Sequence, residues 1–178
     1  GIMPMRSNPR TSLVCVLAAT GALLLLERVP ADAAEEMVAA LHPVNAAAGR
    51  VDMDRSYGEG KFTPGKKEKE VDILVRIVDI PLPSSEEPLT VTGGPSVFRH
   101  ALQIRPIASC EDTTTDKSLG GELPDVDIRT DGNALVSITA EGISMSDLPG
   151  KTVVLYRGHE MKRKEDIVAC GMIGPKKN

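Results

Sequence analysis

The chain has 178 residues, a formal net charge of −4 and almost no rings: no Trp, two Tyr and two Phe. One hydrophobic segment near the N-terminus leaves about 140 residues, enough for a single domain with one core. That core must be built from branched aliphatic side chains, which favours strands. The scatter of Lys and Arg excludes a basic face for nucleic acid, and no G-x-G-x-x-G or phosphate loop is present.

Residues 1–11 carry Arg6 and Arg10, and residues 12–26 follow without a charge before Glu27-Arg28. About 15 apolar residues is short for a bilayer span, which wants roughly 17–25. Ala31-Asp32-Ala33 fits the small-x-small pattern of an export signal's cleavage site. Two expectations stand: a retained single helix, with the arginines on the cis side, or a cleaved signal. The retained helix, residues 12–26, is preferred, and in both cases the domain is delivered across a membrane. Residues 1–35 are thus read as a basic segment with a hydrophobic helix, and 36–178 as the domain. Cys15, inside the apolar run, reads as a small apolar residue.

The domain opens with an edge-like strand over residues 36–43, ended by Pro43. Weak strand signals at 49–54 and 59–63 flank a Tyr57-Gly58 turn. Lys66-Lys67-Glu68-Lys69-Glu70 mixes both signs and reads as a solvated turn. Residues 71–80 alternate in part with period two until Pro81-x-Pro83 stops them. Further strands are expected at 89–92, 98–105, 125–129, 134–140, 152–156 and 168–173, divided by Gly-Gly-Pro, Thr130-Asp131-Gly132-Asn133 and Leu148-Pro149-Gly150 turns. Many short strands with no helical periodicity after residue 35 mean an antiparallel sandwich or barrel.

Beyond Cys15 the cysteines are Cys110 and Cys170. With no C-x-x-C spacing and no His beside either, an exported pair reads as a disulfide rather than a metal site. A bridge closing that loop would contribute roughly 4 kcal/mol on the chain-entropy estimate. His42, His100 and His159 are widely separated. His42 reads as a surface residue and His100 as structural or exposed. His159 lies in a loop with Glu160, Lys162, Arg163 and Lys164, and a labile metal site there is only a weak candidate. Gly142-Ile143-Ser144-Met145-Ser146 lacks the closing Gly of a nucleophile elbow.

Three stretches in order, Gly121-Glu122-Leu123-Pro124, Asp147-Leu148-Pro149-Gly150-Lys151 and Ala169-Cys170-Gly171-Met172-Ile173, resemble the final part of the copper/zinc superoxide dismutase domain. There a Gly-Asp-Leu-Pro turn, an Asp-Leu-x-Gly-Arg turn and an Ala-Cys-Gly-Val-Ile strand follow one another. The resemblance spans roughly residues 36–174 and implies an all-β Greek-key sandwich with a Cys110–Cys170 disulfide.

The resemblance also implies a copper site of imidazoles, namely a His-x-His on one strand, a His shared with zinc and a fourth His near the end. Counted back from Cys110, the first pair falls on Gln103 and Arg105. The fourth falls on Tyr156, with His159 out of register, and the family's guiding arginine is replaced by Ile167. Arginine has only donors and ligates no metal. Only Glu111 to Gly120 stands where the family has its His-rich zinc loop, and copper-only relatives still keep their copper histidines.

The expectation is therefore a metal-free, cofactor-free, non-enzymatic domain that acts as a structural or interaction module. Its setting would be a single-pass accessory subunit of a respiratory or photosynthetic membrane complex, with protein partners, in the thylakoid lumen or intermembrane space. The alternative is a secreted or periplasmic divergent superoxide dismutase or copper-binding protein, with His100 and His159 as its weak metal candidates beside His42.

Overall fold

The computed structural model describes residues 36–45, 47–107, 109–110, 118–159 and 163–177. The apolar run 12–26, Cys15, the cleavage-site pattern and most of the shortened loop lie outside the described residues. Among those described, no helix is long and apolar enough to cross a membrane.

The described residues form thirteen strands: β1 (Met37–Ala40), β2 (His42–Asn45), β3 (Arg50–Val51), β4 (Gly58–Pro64), β5 (Glu70–Ile77), β6 (Leu89–Thr90), β7 (Ser96–His100), β8 (Leu102–Arg105), β9 (Val126–Arg129), β10 (Ala134–Glu141), β11 (Thr152–Tyr156), β12 (Ile167–Met172) and β13 (Gly174–Pro175). Every pairing is antiparallel. One sheet runs β10-β5-β4-β1-β13 and a second runs β3-β2-β12-β11-β8, while β6-β7-β9 form a smaller third. The expected all-β sandwich is what forms.

The core follows from alternation. Along β5, Val71, Ile73, Val75 and Ile77 point inward while Asp72, Leu74 and Arg76 lie between them on the other face, and β10 answers with Ala134, Ile138 and Ala140. Opposite them stand Leu102, Ile104, Val153, Leu155 and Ala169 of the second sheet, with Val126 and Ile128 of β9 closing the side. Phe62 is the one fully buried phenylalanine in this aliphatic interior. Gly171 is required by close approach, because a Cβ there would collide with the Ala40 carbonyl where β12 passes β1.

The boundaries differ from expectation where the chain changes sheet. The strand expected over 98–105 is two strands: β7 pairs β9, β8 pairs β11, and Ala101 turns between them. The Ala101 amide donates to Gly158 and its carbonyl accepts from Tyr156, so the crossing itself is hydrogen-bonded. Likewise 36–43 is not one edge strand ended by Pro43. It breaks at buried Leu41, and Pro43 sits within β2, its carbonyl accepting from the Asp52 amide. The 49–54 signal yields only Arg50–Val51. β5 ends at Ile77, before the prolines, because Val78 turns its amide to Tyr57 and Asp79 takes a left-handed φ of 52°. In the charged turn Glu70 is buried rather than solvated, accepting from the Lys66 amide. Ser144 caps the short 3-10 turn Met145–Asp147, its hydroxyl held by the Asp147 carboxylate at 2.7 Å.

Candidate functional site

The outward face of the second sheet is where the resemblance locates metal. Alternation on β8 sends Leu102 and Ile104 into the core and Gln103 and Arg105 to the opposite face. Register pairs Val154 with Gln103 and Cys170, and pairs Thr152 with Arg105 and Met172. Although it faces away from the main core, this surface is covered. Ala101, Val154, Tyr156, Ile167 and Cys170 form a second buried cluster with Cys110 against it. The disulfide joins Cys110 to Cys170 with Cα atoms 5.7 Å apart, and so ties the chain after β8 to β12. The bridge is one that an oxidising compartment preserves.

Two of the three residues at the counted copper positions engage each other, the Tyr156 hydroxyl donating to Gln103 Oε1 at 2.9 Å. Arg105 is 3% exposed and Thr152 is fully buried. Arg105 Nε and Thr152 Oγ1 have no hydrogen-bond partner among the described residues, and no ion pair there involves Arg105. Ile167, at the guiding-arginine position, is buried in the apolar cluster.

The histidines lie elsewhere. His42 shares the outer face but is three strand spacings from Gln103, roughly 14 Å, and its Nδ1 is bonded to the Arg55 carbonyl. His100 is 1% exposed, and burial pushes its imidazole below the ordinary value, against the smaller pull of the Phe98 carbonyl, Glu86 and Asp125. His159 is exposed and contacts the Asp125 carboxylate. No group of three His, Cys, Asp or Glu among the described residues is arranged to hold a metal.

Copper does not fit these residues. A guanidinium repels a cation, and the amide and phenol are bonded to each other. Zinc would need ligands from a loop that, in this sequence, contains no His.

Comparison with solved structures finds the copper/zinc superoxide dismutase from Brucella abortus, with a TM-score of 0.55 over 79% of this chain and 100% of that one. The domain has the superoxide dismutase fold. At 11% identity the likeness concerns the fold alone. No protein-family model and no curated protein matches the sequence.

Sequence reasoning missed a polar knot beside this face. Asp166, with no exposed side-chain surface, accepts from Arg157 Nη2 and Arg163 Nε, each at 3.0 Å. Burial raises its carboxyl, but the bonds from Arg163 and Arg157 outweigh it and hold the group below the ordinary carboxylate range. The spacing of Arg163 and Asp166 was the available signal. The orphaned pair of Arg105 and Thr152 was also missed, because nothing local says that a strand-terminal arginine will be covered.

Proposed function

We propose that this is a non-catalytic superoxide dismutase-like domain that serves as a structural or interaction module. The observation that carries this is the Tyr156–Gln103 bond beside buried Arg105, at the positions where the family needs imidazoles. A site reverting easily to copper would keep at least one imidazole facing another. Here the polar groups are rebuilt into a covered face, and the disulfide that braces it remains. The setting proposed is a single-pass accessory subunit of a respiratory or photosynthetic membrane complex, tethered by residues 12–26, with the domain in the lumen or intermembrane space. A secreted divergent dismutase or copper carrier is the alternative.

N-terminal sequencing of the native protein, paired with carbonate extraction of its membranes, tests the setting. The tethered subunit starts at or before Met5 and resists extraction. A mature chain starting near Ala34 or Glu35 removes the tether.

A further inference from the structure

We propose that Arg105 and Thr152 form a binding site for a small oxyanion, so that a face which holds a cation in the fold's metal-binding relatives takes an anion here. Arginine stays protonated in proteins, and a buried charge without a partner costs several kcal/mol. Arg105 is 3% exposed, pairs with no carboxylate among the described residues and leaves Nε unbonded. Directly opposite in register, fully buried Thr152 leaves Oγ1 unbonded as well. Two orphaned donors on adjacent strands, with side chains on one face, need the same thing: an acceptor between them.

The class of ligand follows from the donors. The guanidinium fork matches the paired oxygens of a phosphate or carboxylate, and the threonine hydroxyl can donate to a third acceptor position. The neighbouring Tyr156 and Gln103, bonded to each other, do not add a negative charge. A groove of about 820 Å³, lined by neither Arg105 nor Thr152, reaches the same face at Cys110 and Met172. Its wall includes Met172, the other register partner of Thr152, together with Ser109 and Cys110, and Lys176 and Lys177 lie along it. Lys176 is paired with Glu36 at 3.2 Å and Glu59 also lines the groove, so Lys177 is the lysine there that favours the approach of an anion.

Thermal melting and tyrosine fluorescence of the full-length chain, titrated with inorganic phosphate and separately with acetate against chloride at matched ionic strength, test the site. Tyr156 is one of only two tyrosines and no tryptophan masks it. The expected result is a saturable rise in melting temperature with phosphate or acetate but not chloride; which of the two saturates identifies the oxyanion. Arg105→Met should weaken binding about 10–100-fold and Thr152→Val about 2–10-fold. Arg105→Met should also melt higher than the parent without anion and lower at saturation, an inversion that a merely structural arginine would not give. Arg105→Lys, which keeps the charge if the methionine variant fails to fold, should retain a weakened response. Equal responses in parent and Arg105→Met, or no response beyond that to chloride, would overturn the site. The latter result would mean that the buried charge needs no bound anion.

Discussion

The two faces of the second sheet are made by the same strands and differ by one residue of register, yet they are built on different principles. Inward, Leu102, Ile104, Val153 and Leu155 meet the first sheet in an aliphatic core. Outward, Arg105, Thr152 and Tyr156 are polar but buried and Gln103 is half-buried, beside a disulfide and a few specific contacts. The inner face can tolerate any well-packed aliphatic set, so the same fold can form at 11% identity. The outer face adds only a small apolar cluster, and each polar group covered there costs free energy unless it is bonded.

The largest effect separating the faces should come from the bridge that covers the outer one. Replacing Cys110 and Cys170 by Ser should cost about 4 kcal/mol in urea unfolding, and more of the loss should fall on the outer face, read as faster amide exchange in β11 and β12 than in β5 and β10. Neighbours on a single strand sharpen the contrast. Ile104→Ala should cost about 3 kcal/mol by opening a cavity, whereas Gln103→Ala should cost about 1 kcal/mol for a lost hydrogen bond. Equal costs would mean that the outer face is a second core in energetic terms.

A smaller effect is a pH dependence. The folded His100 imidazole titrates below its unfolded value because it is buried. Below about pH 6.5 the unfolded chain binds the extra proton first, so this stability is complete above that pH and is lost as pH falls through the window beneath it. Denaturant midpoints measured between pH 7 and 5 should fall for the parent and fall less for His100→Gln. Burial sets the depth of the window, and the Phe98 carbonyl, Glu86 and Asp125 make it shallower.

Much of the fold was legible because alternation survives in β5 and β10, and because turns such as Thr130-Asp131-Gly132-Asn133 carry the residues that a left-handed φ demands, here 81° at Gly132. The sheet crossings were not legible. Ala101 and Leu41 are apolar, continue the local pattern and reveal nothing about which distant strand will bond their amides. Cysteine spacing made the bridge readable without any geometry. At the site, counting from Cys110 puts Gln103 and Arg105 on one strand, but the bond from Gln103 to Tyr156 and the burial of Arg105 depend on register between β8 and β11, which residues 47 positions apart in sequence, Arg105 and Thr152, do not announce.

The central claim, that this outer face holds neither copper nor zinc, is tested most directly by elemental analysis and superoxide turnover of the purified chain after incubation with copper and zinc and removal of loosely held ions. The account predicts far less than one equivalent of either metal per chain and turnover no faster than the metal-free buffer control. One equivalent of copper retained per chain, with superoxide turnover abolished by His100→Gln, would contradict it.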